Sequence, residues 1–107
     1  MAGAHPIDKL FATIAARRKA DPKSSYTAQL LAQGVQKCAK KFGEEAVETA
    51  LAAVLGNKDH IAAESADVLY HLAVLWAAAG ITPEDVYAKL RAREGQSGLA
   101  EKAARKG

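Results

Sequence analysis

Cysteine is nearly absent. Cys38 stands alone among 107 residues, so no disulfide can close within the chain and nothing in the composition calls for an oxidising compartment; a reducing cytoplasm is the expected address. With no histidine near it in sequence, the lone thiol reads as a small buried apolar filler rather than a nucleophile. Aromatic residues make up only 6% and prolines number three, whereas 25 residues are alanine, a balance that favours closely approaching helices and excludes a β-sandwich or barrel. Uninterrupted apolar runs are short, none near the roughly 18 residues of a membrane span. The N-terminus has no signal-peptide core and, with Asp8 and Asp21 present, no acid-free transit pattern. No membrane partner is expected. Excess charge is small as well: 15 basic against 12 acidic side chains leave +3, too little to indicate nucleic acid, yet suited to an anionic small molecule if the cations cluster. A chain of this length is expected to fold as one domain, 1–107, burying roughly two-thirds of its unfolded surface, a thin margin that a second subunit would widen.

What is present is helical periodicity. Ile7, Leu10, Phe11, Ile14 and Ala15 recur at three- and four-residue steps, which predicts an amphipathic helix from about Ile7 to Ala20, ended by Asp21-Pro22. Ser24-Ser25-Tyr26-Thr27 reads as a turn with cap candidates that opens a short helix to Gly34. Two long helices follow, Val35 to Leu55 and Ile61 to Ala79, and the short Gly56-Asn57 link predicts an antiparallel hairpin. Thr82-Pro83-Glu84-Asp85 is a strong start for a last helix running to about Arg93. From about residue 96 the chain is small, polar and charged, and a tail that is mobile unless substrate or a partner orders it is expected. The fold class is therefore all-α, a multi-helix bundle built on a helical hairpin.

The acids carry the chemical information. Five of the twelve, Glu44, Glu45, Glu48, Glu64 and Asp67, fall inside the two long helices, away from the ends where they would face a helix dipole. Glu44 and Glu48 align with Leu51 and Leu55 on a side expected to point toward other helices, with Glu45 at its edge; Glu64 and Asp67 share a side with His71 and Val74. Buried carboxylates repel one another and pay for desolvation, so something must offset the cost. Folding the hairpin sets the two acidic sides across a helix spacing of about 8–10 Å, a gap that suits bridging cations. Oxygen ligands without cysteine select a hard ion, Mg²⁺ or Mn²⁺, which leaves positions for water and substrate phosphates. Lys37, Lys40 and Lys41 either pair with these acids along the helix or stand beside a metal-bound polyphosphate.

The strings Ser25-Tyr26-Thr27, Gly34, Lys37, Lys41-Phe42-Gly43-Glu44-Glu45-Ala46-Val47-Glu48 and Glu64-Ser65-Ala66-Asp67-Val68-Leu69-Tyr70-His71-Leu72 resemble the phosphoribosyl-ATP pyrophosphatases of histidine biosynthesis, which belong to the all-α, MazG-like nucleotide pyrophosphohydrolases. The resemblance runs over roughly residues 7 to 105 and includes Gly95-Gln96-Ser97-Gly98-Leu99. It implies Mg²⁺-dependent hydrolysis of phosphoribosyl-ATP between its α- and β-phosphates, giving phosphoribosyl-AMP and pyrophosphate. It also implies a homodimer in which hairpins join into a bundle, and a stand-alone form without the cyclohydrolase domain to which the family is often fused. Carried over residue by residue, Glu45, Glu48, Glu64 and Asp67 match the metal-binding acids, with Glu44 a further ligand or a water-orienting base. Ser25 and Tyr26 match positions near the substrate, although a helix cap accounts equally well for the serine. Tyr70 and His71 either bond substrate and neighbouring acids or serve as packing residues, and Arg93, like Arg91, either reaches the phosphoribosyl phosphate or complements a helix dipole.

Two other readings are consistent with the residues. One is a house-cleaning nucleoside triphosphate pyrophosphohydrolase of the same superfamily. The other is a non-catalytic helical interaction module whose acids pair with its lysines and bind no metal.

Overall fold

Side chains that accept backbone N–H groups fix where the helices begin. In a computed structural model that describes residues 5–94, His5 caps α1 (Pro6–Ala16) through a 3.1 Å bond from the Ile7 N–H to Nδ1, with Pro6 in the first turn. Ser25 caps α2 (Tyr26–Gln33) by accepting the Ala28 N–H at 3.1 Å, and Asn57 caps α4 (Lys58–Ala79) by accepting the His60 N–H at 3.0 Å. Thr82 and Asp85 cap α5 (Pro83–Arg93) reciprocally, each side chain bonded to the other's backbone N–H. Of the α-helices among the described residues, α3 (Val35–Leu55) alone begins without a side-chain cap, from Gly34 at φ 91°.

These bounds match the sequence reading with two differences. The last turn of the first helix tightens into a 3₁₀ segment, Arg17–Lys19, from which the Arg18 guanidinium donates to the Ala77 carbonyl at 2.6 Å. In addition, α4 begins three residues earlier than Ile61, because Asn57 caps directly after the left-handed Gly56 (φ 84°). The tail from about residue 96 lies outside the described residues.

The helices α3 and α4 form the antiparallel hairpin and the most extensive packing in the molecule, with α1 and α2 also lying on α4. The fold is all-α, as expected. Its core gathers at one end: Ile14, Leu30, Leu31, Cys38, Ala73, Val74, Trp76 and Ala77 form a single buried cluster, so α4 is buried along its second half and open along its first. Cys38 fills this core, its thiol 3.3 Å from the Leu30 carbonyl and pushed up in pKa by burial. By length and composition alone α4 could cross a membrane, with a mean hydropathy of 1.2 over its most apolar stretch. The short-run criterion missed this because charged residues interrupt the apolar ones, and in the bundle α4 is the central helix.

The main correction concerns the faces of α3. The line Glu44, Glu48, Leu51, Leu55 does not point toward other helices: Leu51 and Leu55 are 59% and 79% exposed, and both glutamates are exposed too. The line that meets the bundle passes through Cys38, Glu45, Thr49 and Ala52. Alanine, threonine and cysteine let α3 approach α4 closely, whereas the bulkier aliphatic stripe is left on the outside.

Candidate metal-binding and catalytic site

Because α3 and α4 run antiparallel, Glu45 meets Glu64 and Asp67 across the hairpin. One carboxylate oxygen from each of the three lies within 4.8 Å of the others. Glu45 and Glu64 are half-buried and Asp67 is exposed, so the expected sealed stripes of charge are in fact an open groove. Glu64 is held at one oxygen by His60, whose Nε2 is 3.4 Å from Oε1. Its other oxygen, Oε2, is buried without a hydrogen-bond partner among the described residues. A desolvated carboxylate oxygen with nothing to accept from is costly, and three converging carboxylates are the donor set of a hard divalent cation. The residues therefore fit such an ion.

Electrostatics separate the five acids into two groups. Glu45 has its pKa raised, first by burial, then by the charge and a hydrogen bond of Glu48 and by the charge of Asp67, with His71 opposing. Glu48 thus belongs to the cluster's rim. Glu44 has its pKa lowered, chiefly by a hydrogen bond from Lys41 at 3.2 Å, with Lys40 and Lys37 adding to the effect. It faces the lysines rather than the other acids, because a one-residue step on a helix turns a side chain through about 100°. Lys41 is held in its charged form by the same bond; both partners are substantially exposed, so the pair adds little to stability.

The raised pKa of Glu45 has a measurable consequence. Its ordinary pKa is 4.5; below that value both folded and unfolded chains hold the proton, and stability falls as pH rises through the higher folded value. An amide mimics the protonated carboxyl, so Glu45→Gln is expected to raise the melting temperature in EDTA at pH ~7.5 and to leave it unchanged at pH ~4. Thermal melts of both proteins across that range give the check.

Beside the acids, α2 docks on α4 through two adjacent pairs. The Thr27 and Tyr70 hydroxyls are 2.5 Å apart, and the Tyr26 hydroxyl lies 3.5 Å from His71 Nε2. The buried His71 ring bonds the Asp67 carbonyl through Nδ1 at 3.0 Å and meets the Tyr70 ring edge-on at 4.9 Å. A neutral ring donates from Nδ1, which leaves Nε2 to accept from Tyr26. His71 is thus brought beside the acidic cluster, its charge acting on Glu45, with Tyr26 and Tyr70 against its ring, while Ser25 spends its hydroxyl on the helix cap.

Arg93 ends α5, a helix that packs on α1, and no hydrogen bond or ion pair joins it to the acids among the described residues; Arg91 pairs with Glu84. A cavity of about 360 Å³ between α1 and α5, bordered by Phe11, Pro83 and Tyr87, shares no residue with the cluster. Two contributors, His60 and Thr49, were not singled out from sequence. The signal was there in their spacing, each four residues from an acid of the group.

Comparison with known proteins accords with this geometry. The profile of the family described as phosphoribosyl-ATP pyrophosphohydrolase matches residues 7–94. A phosphoribosyl-ATP pyrophosphatase of Parvibaculum lavamentivorans is 61% identical over 104 residues, 97% of this chain and 95% of that protein. Proteins of the same name from Azospirillum brasilense (59% identical, 94% and 90% covered) and Paracoccus denitrificans (54%, 99% and 100% covered) align over nearly their whole lengths. An all-α hairpin whose acids converge across two helices, with a profile match spanning the described core, places the chain in the phosphoribosyl-ATP pyrophosphohydrolase family.

Proposed function

We propose that this chain hydrolyses phosphoribosyl-ATP between the α- and β-phosphates, releasing phosphoribosyl-AMP and pyrophosphate in histidine biosynthesis, with Mg²⁺ or Mn²⁺ held by Glu45, Glu64 and Asp67 and with Glu48 at the rim. The observation that carries the reading is the convergence of three carboxylates, one of which, Glu64, also has an oxygen buried without a partner among the described residues, in a chain whose relatives bear that enzyme's name. When bound, the ion would neutralise phosphate charge and make a water molecule more acidic.

The chain's own side chains supply the rest. In this reading Glu48, expected from the resemblance as a metal ligand and acting on Glu45 by its charge and a hydrogen bond, completes the ligand set from the rim or orients water there. Lys41 and Lys37 give the positive edge that receives phosphates, Lys41 exchanging its exposed partner Glu44 for a phosphate oxygen. In this reading Glu44 acts through Lys41 and not as a ligand. Tyr26, Tyr70 and His71 border the groove on the α2 side, Ser25 sets the start of that helix, and Arg93 serves as a phosphate contact once substrate is bound.

The working unit is a homodimer in the cytoplasm. Val47, Leu51, Val54 and Leu55 are 59%, 59%, 84% and 79% exposed on one side of α3, an apolar stripe that a second hairpin would cover.

Pyrophosphate release measured from phosphoribosyl-ATP and from a panel of ordinary nucleoside triphosphates, with Mg²⁺ and with EDTA, tests the reading. Release is expected with phosphoribosyl-ATP in preference to the panel and only with the metal. Equal rates across the panel would assign the chain to triphosphate house-cleaning, and no release from any substrate would leave an interaction module.

A further inference from the structure

We infer that Thr49 is a positioning residue of this site: its hydroxyl pins together the two helices that carry the acidic cluster, at the backbone of the very residues whose carboxylates face each other. Thr49 Oγ1 lies 2.9 Å from the Glu45 carbonyl one turn earlier on α3 and 3.1 Å from the Glu64 carbonyl across the hairpin on α4. A hydroxyl has one proton, so the two carbonyls share it in a three-centre bond. Among the described residues this is the one side-chain hydrogen bond that runs from α3 to α4. Every other cross-helix side-chain bond to α4 comes from α2 or from the 3₁₀ segment.

The placement matters because of what surrounds it. The carboxylates of Glu45, Glu64 and Asp67 repel one another, and the first half of α4 lies outside the buried core. Beside the acids the hairpin is packed by small side chains such as the buried Ala52, and the Thr49 hydroxyl adds a directional link that opposes separation of the two helices. Magnesium demands oxygens near 2.0–2.1 Å in almost ideal octahedral geometry. Small changes in helix separation are consequently read out as metal affinity, and loss of a residue that orients ligands typically costs about 10–100-fold.

This role rests on the proposed metal site, and the test keeps the two apart. Calorimetric titration of Mn²⁺ and Mg²⁺ into wild type, Thr49→Val and Thr49→Ser, with helicity and melting followed in EDTA, measures affinity separately from folding. Valine keeps the shape and removes the proton; serine keeps the proton and removes the methyl group. Thr49→Val is expected to bind the cation about 10-fold or more weakly, to need correspondingly more Mg²⁺ for half-maximal pyrophosphate release, and to retain the helicity of wild type, while Thr49→Ser binds close to wild type. Equal affinity of Thr49→Val and wild type would overturn the role and leave the metal site standing. Weak binding by Thr49→Ser would overturn it too, assigning the effect to packing, even if the valine variant failed to fold. Absence of saturable heat with wild type would remove the metal site and this role with it.

Discussion

Asp67→Asn and Glu64→Gln are each expected to lower pyrophosphate release from phosphoribosyl-ATP by at least about 100-fold, the upper end of what loss of a mere outer partner costs a metal site. Each removes a charged oxygen from a set of three that lies within 4.8 Å, and neither residue belongs to the buried core. The fold should therefore survive. In EDTA, Asp67→Asn should melt no lower than wild type, since it relieves repulsion on Glu45. Steady-state rates at saturating Mg²⁺, together with circular dichroism, read both halves of the result. A variant that keeps near-wild-type turnover would detach the acidic cluster from catalysis, and one that unfolds would make the acids structural.

The second large effect concerns assembly. The double variant Leu51→Asp, Val54→Asp is expected to sediment at the mass of one chain, 11.3 kDa, where wild type sediments at twice that. Four exposed aliphatic side chains line this side of α3, and full burial of each contributes about 1.5–3 kcal/mol at most. That sum is of the same order as the 4–15 kcal/mol or so that association costs. Replacing two of the four by carboxylates removes much of the gain and places like charges opposite one another in a two-fold interface. Because the substituted positions are exposed within the single chain, helicity should be unchanged. If wild type stays at the single-chain mass at all concentrations, the proposed homodimer is wrong.

Much of the local structure could be read from residues alone because it depends on near neighbours. Gly34, Gly56 and Gly80 mark helix ends, Asn57 and Thr82 mark starts, and the hairpin follows from a two-residue link. The pairing of the α3 acids with the α4 acids follows in turn from the hairpin. What the sequence obscured was which side of α3 faces inward. Leu51 and Leu55 carry the stronger apolar signal, yet Cys38, Thr49 and Ala52 lie on the inner line, because hydrophobic periodicity marks apolar faces and does not say which of two such faces packs within the chain. Glu44 was grouped with the other acids for the same reason, and it pairs with Lys41. The contact between Tyr26 and His71, 45 residues apart, depends on how α2 lies across α4, and no local pattern encodes that.

The lopsided core has one more implication. Val74 and Trp76 anchor the second half of α4 in the core, and Glu64 and Asp67 stand about two turns or more before them, toward the middle of the same helix. Durability and reactivity are thereby assigned to successive stretches of a single rod. Substitutions among the acids themselves leave the anchoring stretch untouched, so a scaffold of this small size can diversify its chemistry without gambling its existence as a folded object.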